Sequence, residues 1–85
     1  MGWPTLYEDC IRRNVPYLDQ AKALLPEQDL REVGLDSLST VRLLIDLEAT
    51  FSVQFPDEHV TADTFKTAES LWRVVSSLVA EQNVS

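Results

Sequence analysis

The tetrapeptide Gly34-Leu35-Asp36-Ser37 is the place in this sequence where a side chain could take part in chemistry, because it stands directly before the strongest helical pattern. Glycine permits a sharp turn, and Asp or Ser can cap the first free N–H groups of a helix. A serine hydroxyl in the first turn also lies where those N–H groups and the positive end of the helix dipole favour a phosphate. Ser37 is therefore expected either to help cap the helix or to carry a phosphodiester. This pattern alone leaves both possibilities open.

Other candidate chemistry is sparse. His59 follows Glu58 in a loop, and no nearby Ser or Cys forms a nucleophile–base pair with it. The two glycines, Gly2 and Gly34, are too far apart for a loop that cradles a phosphate. Cys10 is the single cysteine, which excludes an internal disulfide, and we expect it to fill space in the core. The sequence therefore predicts neither an enzyme nor a metal site.

The helix that follows Ser37 is apolar on two sides. At about 100° per residue, four residues gather on one face: Leu43, Leu44, Leu47 and Phe51. Three others gather on nearly the opposite face: Leu38, Val41 and Ile45. A helix at the surface of a domain needs only one apolar stripe for its own burial. The second stripe is either buried as well or exposed as a docking surface for other proteins, and the pattern does not decide between the two.

Two further long helices flank this one. A first helix is predicted over residues 4–14, ended by Pro16. Its buried stripe is expected to contain Trp3, Leu6, Tyr7, Cys10 and Ile11. A last helix is predicted to begin at the N-cap Thr67. Its buried stripe is expected to contain Leu71, Val74, Val75, Leu78 and Val79, and Trp72 at the stripe's edge is expected to serve packing.

The connections are harder to assign. Residues 17–25 have the composition of one or two helical turns within a long first connection, and residues 26–34 should form a loop that Leu30 and Val33 pin to the core. Pro56-Asp57-Glu58 resembles the start of a helix, and residues 61–65 can form another short helix. The expected fold is all-α, a small bundle of three longer helices and one short helix.

The 85 residues are enough for one domain, with its core at about residues 5–80. The net charge of −7 disfavours nucleic acids and anionic membranes and would attract partners with basic patches. No apolar run is long enough to span a membrane, and the N-terminus does not resemble a signal peptide. We therefore expect a cytoplasmic monomer.

Taken together, several segments resemble acyl and peptidyl carrier proteins. The segment from Gly34 to Glu48, continuing to Phe51, is similar to the signature around their phosphopantetheine attachment site. The loop after their second helix is similar to Val53-Gln54-Phe55-Pro56-Asp57-Glu58. The start of their last helix is similar to Thr67-Ala68-Glu69-Ser70-Leu71. The segment that leads to their serine is similar to Asp29-Leu30-Arg31-Glu32-Val33. The likeness covers about residues 5–80.

This resemblance implies a four-helix carrier bundle in which Ser37 accepts 4'-phosphopantetheine from coenzyme A through a separate transferase. The thiol of the arm would then hold a substrate as a thioester. Asp36 would cap the helix and help to engage the transferase. Leu38, Val41, Arg42 and Ile45 would dock on partner enzymes, which favours the exposed alternative for the second apolar stripe. Catalysis would belong to those partners, and the carrier would supply tethering.

The departures from the family pattern suggest which kind of carrier this is. Fatty-acid carriers usually place several acids along this helix, whereas here Arg42 stands among Asp36, Asp46 and Glu48. We therefore expect a free-standing carrier of a natural-product pathway, in nonribosomal peptide, polyketide or antibiotic biosynthesis, with an aminoacyl or peptidyl cargo slightly favoured over a polyketide-type acyl cargo.

The expected partners are a phosphopantetheinyl transferase, an adenylation or acyl-activating enzyme, and condensation, ketosynthase, tailoring or thioesterase enzymes. Two alternatives remain: a fatty-acid-type acyl carrier, or an unmodified helical adaptor that uses the face formed by Leu38, Val41 and Ile45. The identity of the cargo cannot be read from this chain, because selection lies largely in the activating enzyme.

Overall fold

Three α-helices form the fold in the computed structural model, which describes residues 3–18, 21 and 23–82. They are α1 (Thr5–Asn14), α2 (Ser37–Phe51) and α3 (Ala68–Gln82), and a one-turn 3-10 helix lies at Asp57–His59. Within the described residues the only β-type pairing is an isolated bridge between Asp29 and Thr67. The predicted all-α architecture, with three longer helices, one short helix and a long first loop, is confirmed.

Two prolines, one on each side, set the ends of helix α1. Pro4 precedes its first residue, and Val15, held extended before Pro16, ends it. The helix buries Tyr7, Cys10 and Ile11, as predicted.

The expectation that Leu6 is buried was wrong, because its side chain is 58% exposed. At about 100° per residue Leu6 lies a quarter turn away from Tyr7, beyond the edge of the face that meets the core.

The core joins all three helices through Tyr7. Its ring packs against Trp72 of α3 with centroids 4.9 Å apart, and Trp72 in turn lies 6.2 Å from Phe51 of α2. The Tyr7 hydroxyl donates a hydrogen bond to the carbonyl of Ala68 at the start of α3. Burial raises the pKa of this phenol, so it stays a hydrogen-bond donor at any physiological pH. Trp72 therefore serves packing, as predicted.

The first connection is tied to the beginning of α3. The backbone N–H of Leu30 donates to Lys66, and the N–H groups of Ala68 and Glu69 donate to Gln28 and Pro26. Leu30 and Val33 are buried, which confirms that they pin this loop to the core. The helical turns predicted over residues 17–25 do not appear at residues 17, 18, 21 and 23–25, and Asp19, Gln20 and Lys22 lie outside the described residues.

The segment after α2 differs from the prediction in one place. The helix start at Pro56 is confirmed by the 3-10 helix that follows it, but residues 61–65 form a turn and not a helix. The Thr61 hydroxyl accepts from the Thr64 N–H at 3.2 Å, a local bond that favours a turn over a continuing helix.

The predicted N-cap of α3 is confirmed: the Ser70 N–H donates to the Thr67 hydroxyl at 3.0 Å. In the predicted stripe of this helix, Leu71, Val75 and Leu78 are buried, whereas Val74 and Val79 are partly buried against the core.

The Tyr7→Phe variant should lower the free energy of unfolding by about 1–2 kcal/mol, because the buried carbonyl of Ala68 loses its hydroxyl donor while the ring packing remains. Urea denaturation followed by circular dichroism measures this. The matched control is Tyr17→Phe, which alters a side chain that is 77% exposed and should leave stability unchanged. Equal midpoints for wild type and Tyr7→Phe would show that this bond contributes nothing.

Candidate functional site

Ser37 is the first residue of α2, and its side chain is exposed. The cap of the helix is Asp36, whose carboxylate accepts from the Ser39 N–H at 2.8 Å. The Asp36 carbonyl accepts from the Thr40 N–H and from the Thr40 hydroxyl. Because Asp36 fills the capping role, the Ser37 hydroxyl forms no hydrogen bond with any residue that the structure describes. Of the two roles considered for Ser37, helix capping is therefore already taken by its neighbour.

The charge of Asp36 is fixed by the same contacts. Hydrogen bonds from the backbone and the side chain of Ser39 lower the pKa of the Asp36 carboxyl, so it is ionised at neutral pH. The carboxylate is exposed to water, where it complements the positive end of the α2 dipole. Its expected engagement with a transferase stays a prediction.

The turn that leads into α2 requires glycine at position 34. Gly34 has φ +104°, and a Cβ atom there would lie 2.8 Å from Cδ of Pro16. The Tyr17 N–H donates to the Val33 carbonyl at 2.9 Å, so the residues after α1 lie directly against the approach to Ser37. Sequence reasoning found Gly34 as a turn residue but not its contact with Pro16, because that contact joins positions far apart in the chain.

A cleft of about 550 Å³ opens beside Ser37. It lies between the start of α2 and the turn over residues 60–65 and is lined in part by Arg31, Asp36, Ser37, Thr40, Thr61 and Phe65. Phe65 is buried and packs against Phe55 with ring centroids 6.0 Å apart. Nothing in the local patterns of the sequence indicated this cleft, since its two walls meet only in the folded chain.

The second apolar stripe of α2 is exposed. Leu38, Val41 and Ile45 are 61%, 51% and 59% exposed, whereas Leu43 and Leu47 on the other side are fully buried. Arg42 is also exposed. We refer to Leu38, Val41, Arg42 and Ile45 as the α2 strip. The exposed alternative is thus the observed one, while docking through these residues stays a prediction.

A polar cluster holds the flank of α2 against α1. The Asp46 carboxylate accepts from Arg13 Nε at 3.3 Å and from Asn14 Nδ2 at 2.9 Å. Partial burial alone would raise the pKa of Asp46, but these hydrogen bonds and the charge of Arg13 together lower it. Cys10 lies beside this cluster, and its thiol donates to the Thr50 hydroxyl at 3.3 Å, so it is a buried packing residue as predicted.

Residues 3–18, 21 and 23–82 contain neither a metal site nor a membrane-spanning helix. No group of three or more His, Cys, Asp or Glu side chains is arranged to hold a metal ion. Among the same residues, no helix has the length and apolarity needed to cross a membrane.

Asp36→Ala should loosen the first turn of α2, because the Ser39 N–H loses its acceptor, whereas Asp36→Asn keeps one. The pKa of Asp36 is lowered by folding, so its ionised form stabilises the folded state at neutral pH. That contribution is lost as the pH falls through the folded-state pKa. The thermal midpoint of wild type should therefore exceed that of Asp36→Ala at neutral pH, and the difference should shrink in acid.

The control for this pH dependence is Asp36→Asn, whose cap does not titrate. Cα chemical shifts of residues 37–40 locate the change in the first turn. A difference between wild type and Asp36→Ala that stays constant from neutral to acidic pH would contradict the assignment of the cap to the ionised carboxylate.

Comparison with known proteins agrees with this geometry. The family model described as a phosphopantetheine attachment site matches residues 15–75. Aminoacyl carrier protein 1 of Bradyrhizobium diazoefficiens is 34% identical over 55 residues, which is 65% of this chain and 61% of that protein's length. The D-alanyl carrier protein of Leuconostoc citreum is 41% identical over 54 residues, which is 62% of this chain and 69% of that protein.

Solved structures show the same fold. One match is in the crystal structure of the Bradyrhizobium japonicum glycine:[carrier protein] ligase complexed with its cognate carrier protein and an analogue of glycyl adenylate. Its TM-score is 0.66 at 29% identity, and the match covers 85% of this chain and 97% of that chain. In a second structure, an engineered form of this ligase is complexed with a carrier protein from Agrobacterium tumefaciens, with a TM-score of 0.61, 25% identity and coverage of 80% and 96%.

The match over residues 15–75 confirms the resemblance. This chain belongs to the phosphopantetheine attachment family: it is a carrier protein and not an enzyme, and its cofactor is covalently attached 4'-phosphopantetheine.

Proposed function

We propose that Ser37 is the residue that receives the phosphopantetheine arm and that the chain carries a small aminoacyl group on it. The observation that carries this proposal is the exposed hydroxyl of Ser37 at the first position of α2, with the cap supplied by Asp36 instead. The hydroxyl is thus available to a transferase, and its modification would not remove the cap of the helix.

The attachment step follows from this position. The Ser37 oxygen attacks the phosphorus of coenzyme A that carries the pantetheine group, and a new O–P bond forms. The bond between this phosphorus and the bridging oxygen of the diphosphate breaks, and adenosine 3',5'-bisphosphate leaves. The serine proton passes to a base of the transferase. The resulting phosphodiester lies at the N-terminus of α2, where backbone N–H groups and the dipole offset its negative charge.

The surroundings of Ser37 fit the arm. The adjacent cleft of about 550 Å³ is within the size range of small-molecule sites and opens at the attachment residue itself. Thr40 and Thr61 place hydroxyl oxygens along it that can accept hydrogen bonds from the amides of the arm. When attached, the arm supplies a terminal thiol that holds the cargo as a thioester.

The aminoacyl cargo is supported by the relatives. They include carriers named for aminoacyl and D-alanyl groups, and the similar solved structures contain a glycine:[carrier protein] ligase. We therefore propose that an ATP-dependent amino acid:carrier ligase loads this chain. The ligase would form the aminoacyl adenylate with release of diphosphate and then transfer the acyl group to the thiol with release of AMP. Tethering raises the effective concentration of the cargo at each partner enzyme.

The proposed pathway rests on the departure of α2 from an acid-rich pattern. Only three acids and one arginine occur from Asp36 to Phe51, which favours a natural-product pathway over fatty-acid synthesis. Condensation, ketosynthase, tailoring or thioesterase enzymes would then receive the cargo. We place these steps in the cytoplasm, where coenzyme A and ATP are available to the transferase and the ligase.

Incubation with coenzyme A and a broad-specificity phosphopantetheinyl transferase should add the mass of one phosphopantetheinyl group to wild type and none to Ser37→Ala. The matched control is Ser39→Ala, which removes a hydroxyl two positions further along the same helix and should be modified like wild type. Intact-protein mass spectrometry measures all three. An equal mass gain on Ser37→Ala would move the attachment to another residue and overturn the assignment.

The holo-protein, incubated with ATP, glycine or D-alanine and a panel of purified amino acid:carrier ligases, should gain one aminoacyl group on its thiol. The apo-protein and Ser37→Ala should gain none, and hydroxylamine should release the group because it is a thioester. Loading by acyl-activating enzymes alone would replace the aminoacyl proposal with an acyl carrier. Normal partner binding by Ser37→Ala without any loading of wild type would favour the adaptor.

A further inference from the structure

The α2 strip is not acidic, although the whole chain carries a net charge of −7. From its N-cap to its last residue α2 holds three carboxylates, Asp36, Asp46 and Glu48, and one cation, Arg42. Whether a partner meets negative charge on this helix depends on where those three carboxylates are held.

Each of the three carboxylates accepts a hydrogen bond within the chain, Asp36 from α2 itself and Asp46 and Glu48 from residues outside this helix. Asp36 accepts the Ser39 N–H, and Asp46 is paired with Arg13 and also accepts from Asn14. A carboxylate oxygen of Glu48 accepts the Phe55 N–H at 2.8 Å. The charge of Asp46 is offset by the guanidinium of Arg13, and Glu48 is turned toward the residues that follow α2.

Arg42 lies within the apolar part of the strip. It stands four residues after Leu38 and three before Ile45, spacings that place side chains next to each other on one face of a helix. The ion pairs among the described residues are Arg12 with Glu8, Arg13 with Asp46, and Arg73 with Glu69. Arg42 takes part in none of these pairs, so the strip presents a cation beside three exposed apolar side chains, those of Leu38, Val41 and Ile45.

We propose that the activating ligase receives α2 in an apolar groove that places a carboxylate opposite Arg42. This inference rests on the proposed function and adds the chemistry of the partner surface. A guanidinium that is enclosed against apolar side chains loses its water, and it is tolerated only if an anionic group pairs with it. A groove lined with lysine or arginine would place like charges together and would be rejected.

The charge of the strip also argues against a second copy of this chain as the occupant. In a two-fold dimer through this face, the same patch meets itself, so the Arg42 side chains of both copies would enter one interface. The ligase groove is therefore the occupant that the charges favour.

The first experiment measures the charge of the strip with two small probes of matched shape, a nitroxide that bears a carboxylate and one that bears an ammonium group. Paramagnetic relaxation of backbone amides is recorded with each probe on the ¹⁵N-labelled apo-protein. The anionic probe should relax amides of residues 41–45 at least as strongly as the cationic probe, whereas amides near Asp57 and Glu58 should respond more to the cation. Arg42→Gln should reverse the order at residues 41–45.

Lys66→Gln is the matched control for this measurement, because it removes one exposed positive charge elsewhere on the molecule. It should leave residues 41–45 unchanged. Stronger relaxation of these residues by the cationic probe in wild type would overturn the inference. The inference would also be overturned if analytical ultracentrifugation showed a dimer and Arg42→Glu strengthened it. That result would mean that a second copy of the chain covers the strip.

The second experiment uses the ligase that loads the holo-protein in the panel described above. Arg42→Glu should lower kcat/KM for the carrier by about tenfold, mainly through KM, and Arg42→Lys should restore most of it. Lys66→Glu changes the net charge by the same amount and should stay close to wild type. An unchanged or higher kcat/KM for Arg42→Glu would reject the carboxylate in the groove.

Failure of the inference and failure of the proposed function can be told apart. If no ligase aminoacylates wild-type holo-protein, the aminoacyl proposal fails and the ligase groove fails with it. If loading occurs and Arg42→Glu is loaded as well as wild type, the carrier function stands and only the inference about the partner surface is rejected.

Discussion

The structure depends on α2 being held from one side only. Leu43 and Leu47 are fully buried against the rest of the bundle, while Arg13 and Asn14 of α1 fix Asp46 at the edge of that contact. These contacts set the rotation of α2 about its own axis. The two apolar stripes lie on opposite faces of the same helix. Burying one stripe against the core therefore turns the other stripe toward solvent. The exposure of the α2 strip is therefore a consequence of how the core packs.

The position of Ser37 along the axis of α2 is set separately, by the turn before it. Gly34 lets the chain pass against Pro16, and Asp36 ends the turn by capping the Ser39 N–H. Hydrogen bonds from Leu30, Ala68 and Glu69 tie the same connection to the start of α3. Ser37 thus stands at the start of a helix whose rotation and starting point are both fixed, which preorganises its hydroxyl for the proposed attachment.

Local periodicity was enough to predict the three long helices and the two apolar faces of α2, since each depends on residues close together in sequence. It failed at Leu6, whose burial depends on where the core meets α1, and at residues 61–65, where the Thr61 hydroxyl competes for the backbone. The cleft and the pairing of Asp46 were also missed. The partners of Asp46 lie 32 and 33 positions away, and no pattern within α2 indicates them.

The overall charge and the charge of the strip act over different distances. A net charge of −7 attracts basic surfaces from afar, as the composition predicts, but salt screens that field beyond about 8–10 Å. At short range, the exposed face of α2 presents Leu38, Val41 and Ile45 with Arg42 among them, because Arg13 and the Phe55 N–H already engage Asp46 and Glu48. In the proposed complex, long-range attraction would govern the rate of encounter, and the local pairing of Arg42 would govern which encounters become complexes. The proposal therefore predicts that a partner with only a basic patch would be drawn to this carrier and then fail to dock on α2.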